Sequence, residues 1–183
     1  MEKEVKAIML DLETFDTAGT AVVRTIGAVM FVPELGLGKE FYARLEPGTQ
    51  QKAGRTVSAD TMLWWMMQSQ EARGEFANGV EESTSAALAG FAHFVSSCGD
   101  NVAIWGNGSD FDNVILGSLY ADMGIVRPWS HARNRCFRTL KNLGISLPPG
   151  AGAARSQFGP HHDALADAKF QAHYACAWLK ELA

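Results

Sequence analysis

Four carboxylates and one histidine are spaced along this 183-residue chain in a pattern suited to cutting phosphodiesters: Asp11 and Glu13 in MLDLET, Asp112 in WGNGSDFDNVIL, and His162 with Asp167 in HHDALADA. Asp11 and Glu13 close an apolar run from Val5 to Leu10, interrupted by Lys6, that predicts a buried strand. Residues two apart on a strand point to the same face. Both acids then converge at one strand end, where their charges repel unless a cation is shared between them. Hard oxygen donors of this kind suit Mg²⁺ or Mn²⁺. Two such ions about 4 Å apart grip a scissile phosphate, one activating a water and the other stabilising the leaving 3′ oxygen. A neutral imidazole, with an ordinary pKa of about 6.5, can take the proton of that water. His162 is therefore the candidate general base. Its place at the end of a Gly-rich loop suggests that it swings in when substrate binds, which equal loop protection in free and bound forms by hydrogen exchange would exclude.

The remaining members of the set each face a structural rival. Asp112 follows the loop GNGSD at the start of an expected helix, and Asp110 competes with it as ligand but is better suited to capping that helix. Asp167 is expected in the second turn of a last helix, five residues after His162. His162 could itself be a capping or loop histidine, while His161 and Asp163 read as local capping or surface groups.

These residues must be held by elements that the pattern outlines. Val5 to Leu12, Ala21 to Val32 and Lys39 to Leu45 predict three strands, separated by the turn-prone DTAGT and PELGLG. Connections so short favour antiparallel neighbours. Ser58 is an N-cap candidate for a helix through TMLWWMMQ, ARGEFANG reads as a loop, and Thr84 to Cys98 carries Leu88, Phe91, Phe94 and Val95 at helical spacing. A buried strand is expected at Val102 to Trp105, a helix from Phe111 to Met123, and a further helix over Cys136 to Leu143. The loop LPPGAGAARSQFGP, with the composition of a mobile segment, leads to the last helix, whose buried candidates are Ala166, Phe170, Ala172, Tyr174 and Leu179. The order of elements predicts an α/β fold with a mixed sheet and helices on its faces.

The length fits one domain, residues 1–183, with a substantial core. The N-terminus MEKEVKAIML reads as neither signal peptide nor membrane span. Cys98, Cys136 and Cys176 have no CxxC spacing, which argues against a disulfide framework and points to a reducing cytoplasm. The net charge of −4 is unevenly spread: between Asp122 and Asp163 there is no acid, while Arg127, Arg133, Arg135, Arg138, Lys141 and Arg155 give that stretch +6, leaving −10 elsewhere. Such a stretch can track a phosphate backbone or stay a solvated surface. Trp64 and Trp65 sit adjacent on a helix and point about 100° apart. One is expected in the core, and base stacking by either is the less favoured reading.

Taken in order, D-L-E-T at Asp11 to Thr14, I-G-A-V at Ile26 to Val29, F-D at Phe111 and Asp112, and H-x-x-x-x-D at His162 to Asp167 resemble the DEDDh group of 3′-to-5′ exonucleases. The tyrosine subclass would place Tyr four residues before the last Asp, where this chain has Asp163. TMLWWMMQSQEAR and WGNGSDFDNVIL are similar to a branch of bacterial exoribonucleases and phage exodeoxyribonucleases. The resemblance implies a ribonuclease-H-like, mixed five-stranded sheet, three antiparallel strands followed by parallel ones, flanked by helices. It implies two divalent ions, Mg²⁺ or Mn²⁺, held by Asp11, Glu13, Asp112 and Asp167, with His162 as base. Leu12 through its main chain and Thr14 through its side chain are implied to touch the terminal nucleotide, with Asn107 and Phe111 lining the pocket. Asn107 stands five positions before Asp112, one more than is common. The implied partner is a DNA or RNA 3′ end.

Two other classes of function remain open at this point: a nucleic-acid-binding or host-interaction module without turnover, and a short-oligonucleotide phosphodiesterase. The presence of all five catalytic positions counts against the first. The hydrophobic helix around Trp64 could be core or the interface of a homodimer, with the reading leaning slightly to a dimer.

Overall fold

β1 (Ala7–Thr14), β2 (Val23–Val32) and β3 (Gly36–Arg44) form an antiparallel meander. β4 (Ala103–Gly106) then pairs parallel to β1, and β5 (Asn134–Cys136) parallel to β4, giving the order β3-β2-β1-β4-β5. The computed structural model describes residues 6–147 and 149–182, apart from the side chain of Glu75. Val5 of the expected first strand and Pro148 of the expected loop lie outside the described residues. The helices are α1 (Pro47–Lys52), α2 (Ala59–Met66), α3 (Gln70–Ala77), α4 (Thr84–Cys98), α5 (Asp112–Asp122), α6 (Phe137–Lys141) and α7 (Ala164–Glu181). The sheet is the expected mixed five-stranded one, three antiparallel strands followed by parallel ones, flanked by helices. Among the described residues no helix is long and apolar enough to cross a membrane.

The alternation of β1 assigns its residues to two cores. Ile8, Leu10 and Leu12 pack on one face with Leu88 and Phe91 of α4 and Ile115, Leu119 and Tyr120 of α5. Ala7 and Met9 pack on the other face with Ala168, Ala172, Ala175 and Trp178 of α7 and with Phe137 and Leu140 of α6. Continuing that parity, Asp11 and Glu13 project on the α7 side. Asp11 pairs with Gly27 on β2, and a side chain at Gly27 would stand 2.1 Å from the Ala164 carbonyl carbon. The missing side chain is what lets the N-terminus of α7 settle against the sheet beside Asp11.

Several boundaries depart from expectation for local reasons. ARGEFANG is not a loop: most of it is α3, capped by Ser69, whose hydroxyl accepts the Ala72 N–H, and anchored by buried Ala72 and Phe76. β3 begins at Gly36, inside the expected PELGLG turn. The fifth strand that the resemblance implies had no position read from the sequence: it is β5, and Cys136 belongs to it rather than to α6. Its Asn134 accepts from Trp129 Nε1 at 2.8 Å and from Asn113 Nδ2 at 3.2 Å, so side-chain bonds help hold a strand only three residues long. Of the buried candidates in α7, Ala166 and Ala172 are buried, whereas Phe170, Tyr174 and Leu179 are half-buried.

Candidate active site

β1, the β4–α5 junction and the start of α7 meet at one end of the sheet, around a cavity of about 760 Å³. It is lined by Asp11, Leu12, Glu13, Asn107, Phe111, Asp112, His162 and Asp167. Thr14 opens instead on an adjoining cavity of about 460 Å³ with Trp64 and Trp65, and its hydroxyl donates to the Asp16 carbonyl at 2.6 Å.

Donor oxygens of Asp11, Glu13 and Asp167 lie within 4.8 Å of one another. Asp167 sits in the first turn of α7, not the second, because the helix begins at Ala164 with Asp163 as its cap. Asp163 Oδ1 accepts the Ala166 N–H at 2.8 Å, the capping role expected for it. Asp112 is reached differently. Its Oδ1 accepts the Leu12 N–H at 3.1 Å and its Oδ2 the Asn107 N–H at 2.9 Å, which ties α5 to the ends of β1 and β4. Gly106 makes room for this, since a side chain there would meet Asp112 Oδ2 at 2.9 Å. Asp110 does not cap α5: the capping position is Phe111, with no side-chain bond.

The electrostatics follow from burial and crowding. Asp11 is pushed well above the usual carboxylate range by burial, then by the charges of Asp112, Glu13 and Asp167, with the Gln171 hydrogen bond opposing. Asp112 is raised to about 7 by burial, against the two main-chain N–H groups that favour its charged form. Gln171 Nε2 donates to Asp11 Oδ1 at 2.7 Å, while its Oε1 is buried with no hydrogen-bond partner among the described residues. Convergent hard oxygens, mutual repulsion that a cation relieves, and a spare amide oxygen beside them together fit divalent metal binding.

His162 lines the cavity, half-buried, with its ring edge-on to Trp64 at 4.8 Å and to Trp65 at 5.8 Å. Burial, and next the neighbouring His161, lower its pKa from the ordinary 6.5. Trp65 is the core member of the tryptophan pair: it stacks on Phe76 at 3.9 Å and donates through Nε1 to the Thr14 carbonyl at 3.0 Å. Trp64 is 40% exposed beside His162.

Gln171 was not foreseen at the site, nor was the bond by which Arg155, read only as a possible phosphate contact, holds Asp167. Gln171 lies four residues after Asp167 on one helix face, a spacing that could have revealed it. Arg155 bonds Asp167 Oδ1 at 2.6 Å, the Pro160 carbonyl at 2.8 Å and the Gly159 carbonyl at 3.3 Å, and lies over the Phe170 ring. It opens a single 3-10 turn, Arg155–Gln157, too short to carry a periodic signal. Of the six basic residues singled out by charge, Arg138, Lys141 and Arg155 line the cavity. Arg127 instead donates to the Trp129 carbonyl and lies over its ring.

A protein-family profile described as the 3'-5' exoribonuclease Rv2179c-like domain matches residues 6–179. No curated protein sequence matches the chain. Among solved structures, E. coli Exonuclease I in complex with a dT13 oligonucleotide is similar with a TM-score of 0.63 at 18% identity, over 97% of this chain and 41% of that one. The chain therefore spans less than half the length of that enzyme. The nuclease domain of 3'hExo, a DEDDh family member bound to rAMP, is similar with a TM-score of 0.64 at 13% identity, over 98% of this chain and 94% of that one. Cell-death related nuclease 4 (CRN-4) follows with a TM-score of 0.61 at 13% identity, over 97% and 64% of the two chains. At these identities the likeness is one of fold.

Proposed function

This chain belongs to the family of 3'-5' exoribonuclease Rv2179c-like domains, and we propose that its 3′-to-5′ exonuclease chemistry is carried by Asp11, Glu13, Asp112 and Asp167 as metal ligands with His162 as general base. The observation that carries this reading is the convergence of Asp11, Glu13 and Asp167 oxygens within 4.8 Å beside a half-buried imidazole. Two divalent ions, Mg²⁺ or Mn²⁺, supply Lewis acidity when bound there, easing deprotonation of water and stabilising the leaving oxygen. His162, kept neutral by burial, accepts the proton of the attacking water. The new O–P bond forms as the bond to the 3′ oxygen breaks, that oxygen takes a proton from solvent, and a nucleoside 5′-monophosphate leaves. Leu12, Thr14, Asn107 and Phe111 border the terminal nucleotide in this reading, with Thr14 reaching it through the cavity it shares with Phe111, Trp64 and Trp65.

RNA is the proposed polymer, on the strength of the family description. DNA is the second reading, favoured by the oligonucleotide complexes of E. coli Exonuclease I. The chain acts as one exonuclease domain. The free thiols Cys98, Cys136 and Cys176 support a reducing cytoplasm. Exposed Leu63, Met66 and Met67 on or just after α2 support a homodimer.

The test is degradation of 5′-labelled single-stranded RNA and DNA with Mg²⁺, Mn²⁺ or chelator, for wild type beside Asp11→Ala and His162→Ala. The expected result is a metal-dependent ladder shortening from the 3′ end, faster on RNA, with His162→Ala slowed by about 10²-fold or more. Full activity in either variant would overturn the assignment.

A further inference from the structure

His161 and His162 are consecutive, yet their rings meet at 4.0 Å between centroids. The backbone explains this: His162 adopts φ 64°, a left-handed conformation that non-glycine residues rarely take. In an extended segment neighbouring side chains diverge, whereas here both face the first turn of α7. Ligand atoms of His161, His162 and Asp167 lie within 4.8 Å of one another. Asp167 Oδ1 is held by Arg155, while Oδ2 accepts the His162 main-chain N–H at 2.9 Å, and a carboxylate oxygen has a second lone pair to give.

This donor set differs in kind from the all-oxygen group of Asp11, Glu13 and Asp167. Two imidazoles and one carboxylate suit Zn²⁺ and its borderline neighbours, whereas Mg²⁺ prefers oxygen throughout. His161 is exposed at the rim, open to an ion from solvent. We propose that His161, His162 and Asp167 form an inhibitory site for a borderline transition-metal ion such as Zn²⁺. Because Asp167 belongs to both groups and His162 is the proposed base, occupation of this site takes the base and one carboxylate away from hydrolysis. Inhibition rests on the function proposed above; binding of the ion does not.

The experiment uses the full chain with excess Mg²⁺. Zn²⁺ is titrated into the nuclease assay, and Co²⁺ is titrated separately with its visible absorption as the reporter, for wild type, His161→Gln and Cys136→Ser. Loss of a residue that merely hydrogen-bonds a metal ligand weakens metal sites by about 10–100-fold, so loss of the ligand His161 should raise the half-inhibiting Zn²⁺ concentration by at least about tenfold. The Co²⁺ spectrum should weaken in parallel, while His161→Gln keeps Mg²⁺-supported turnover against which its Zn²⁺ sensitivity is normalised. Equal Zn²⁺ sensitivity in wild type and His161→Gln would overturn the proposal and place the ion on the oxygen cluster. Relief by Cys136→Ser instead would also overturn it. An enzyme without turnover would sink the proposed function, and the Co²⁺ spectra of wild type and His161→Gln would still decide this site.

Discussion

Asp11 and Asp112 give the metal-free protein its pH behaviour. Both carboxyls ionise at higher pH in the fold than in the unfolded chain, Asp112 at about 7 against an ordinary 3.8. The stabilisation linked to their protons is thus complete below the unfolded value and is lost as pH rises through the folded one. In chelator, the melting temperature should fall from pH 5 to pH 8, and Mg²⁺ or Mn²⁺ should restore it most at the alkaline end. A flat profile in calorimetry would mean that the cluster is not electrostatically strained. Gln171 offers a second measurement at this scale. Gln171→Leu removes the bond to Asp11 while keeping the volume, and should cut kcat by roughly tenfold, equivalent to one hydrogen bond of about 1.4 kcal/mol, with little change in KM. Asp11 and Glu13 were legible because strand parity is strict. The part played by Arg155 was not, since its partners are carbonyls of an irregular turn and an acid twelve residues away.

Among the elements, α7 brings Asp167 to the site and α2 sets Trp64 and Trp65 beside it. Gly27 is the point of closest approach of α7, so Gly27→Ala should destabilise the fold by about 3 kcal/mol or more, as overpacking against backbone does. Denaturant unfolding measures this, and an unchanged midpoint would show that α7 can move away freely. On α2, Trp65→Ala should cost about 3–5 kcal/mol through the cavity it leaves. Trp64→Ala should leave the midpoint nearly unchanged and raise KM for oligonucleotides; an unchanged KM would exclude stacking by Trp64. The long helices were readable from their periodicity, and α4 forms over the residues expected, Thr84–Cys98. α3 was hidden because Gly74 and the Asn78-Gly79 pair carry turn chemistry, whereas its helical state depends on Phe76 packing against Trp65. β5 could not be placed because three residues carry no alternation to read.

Across the whole molecule, charge limits how much nucleic acid the protein can hold. Arg138, Lys141 and Arg155 line the cavity, while the chain outside residues 123–162 carries −10. A strand is thus drawn in at its end and repelled further along. Binding of a fluorescent oligonucleotide to Asp11→Ala should fall with salt at a log–log slope of about −2, as expected for three phosphate contacts on a single strand. The slope should not steepen with longer oligonucleotides, and a steeper one would reveal an extended track. The arrangement of the sheet also has a consequence in time. Gln171 and Asp11 meet across 160 residues of chain, and contacts of such high sequence separation form late in folding. During synthesis the residues of β1 emerge long before α7 can dock beside them. A ribosome-bound chain that has not yet released α7 therefore lacks Asp167 beside Asp11 and Glu13, and under the proposed assignment it would hold no complete nuclease site until α7 docks.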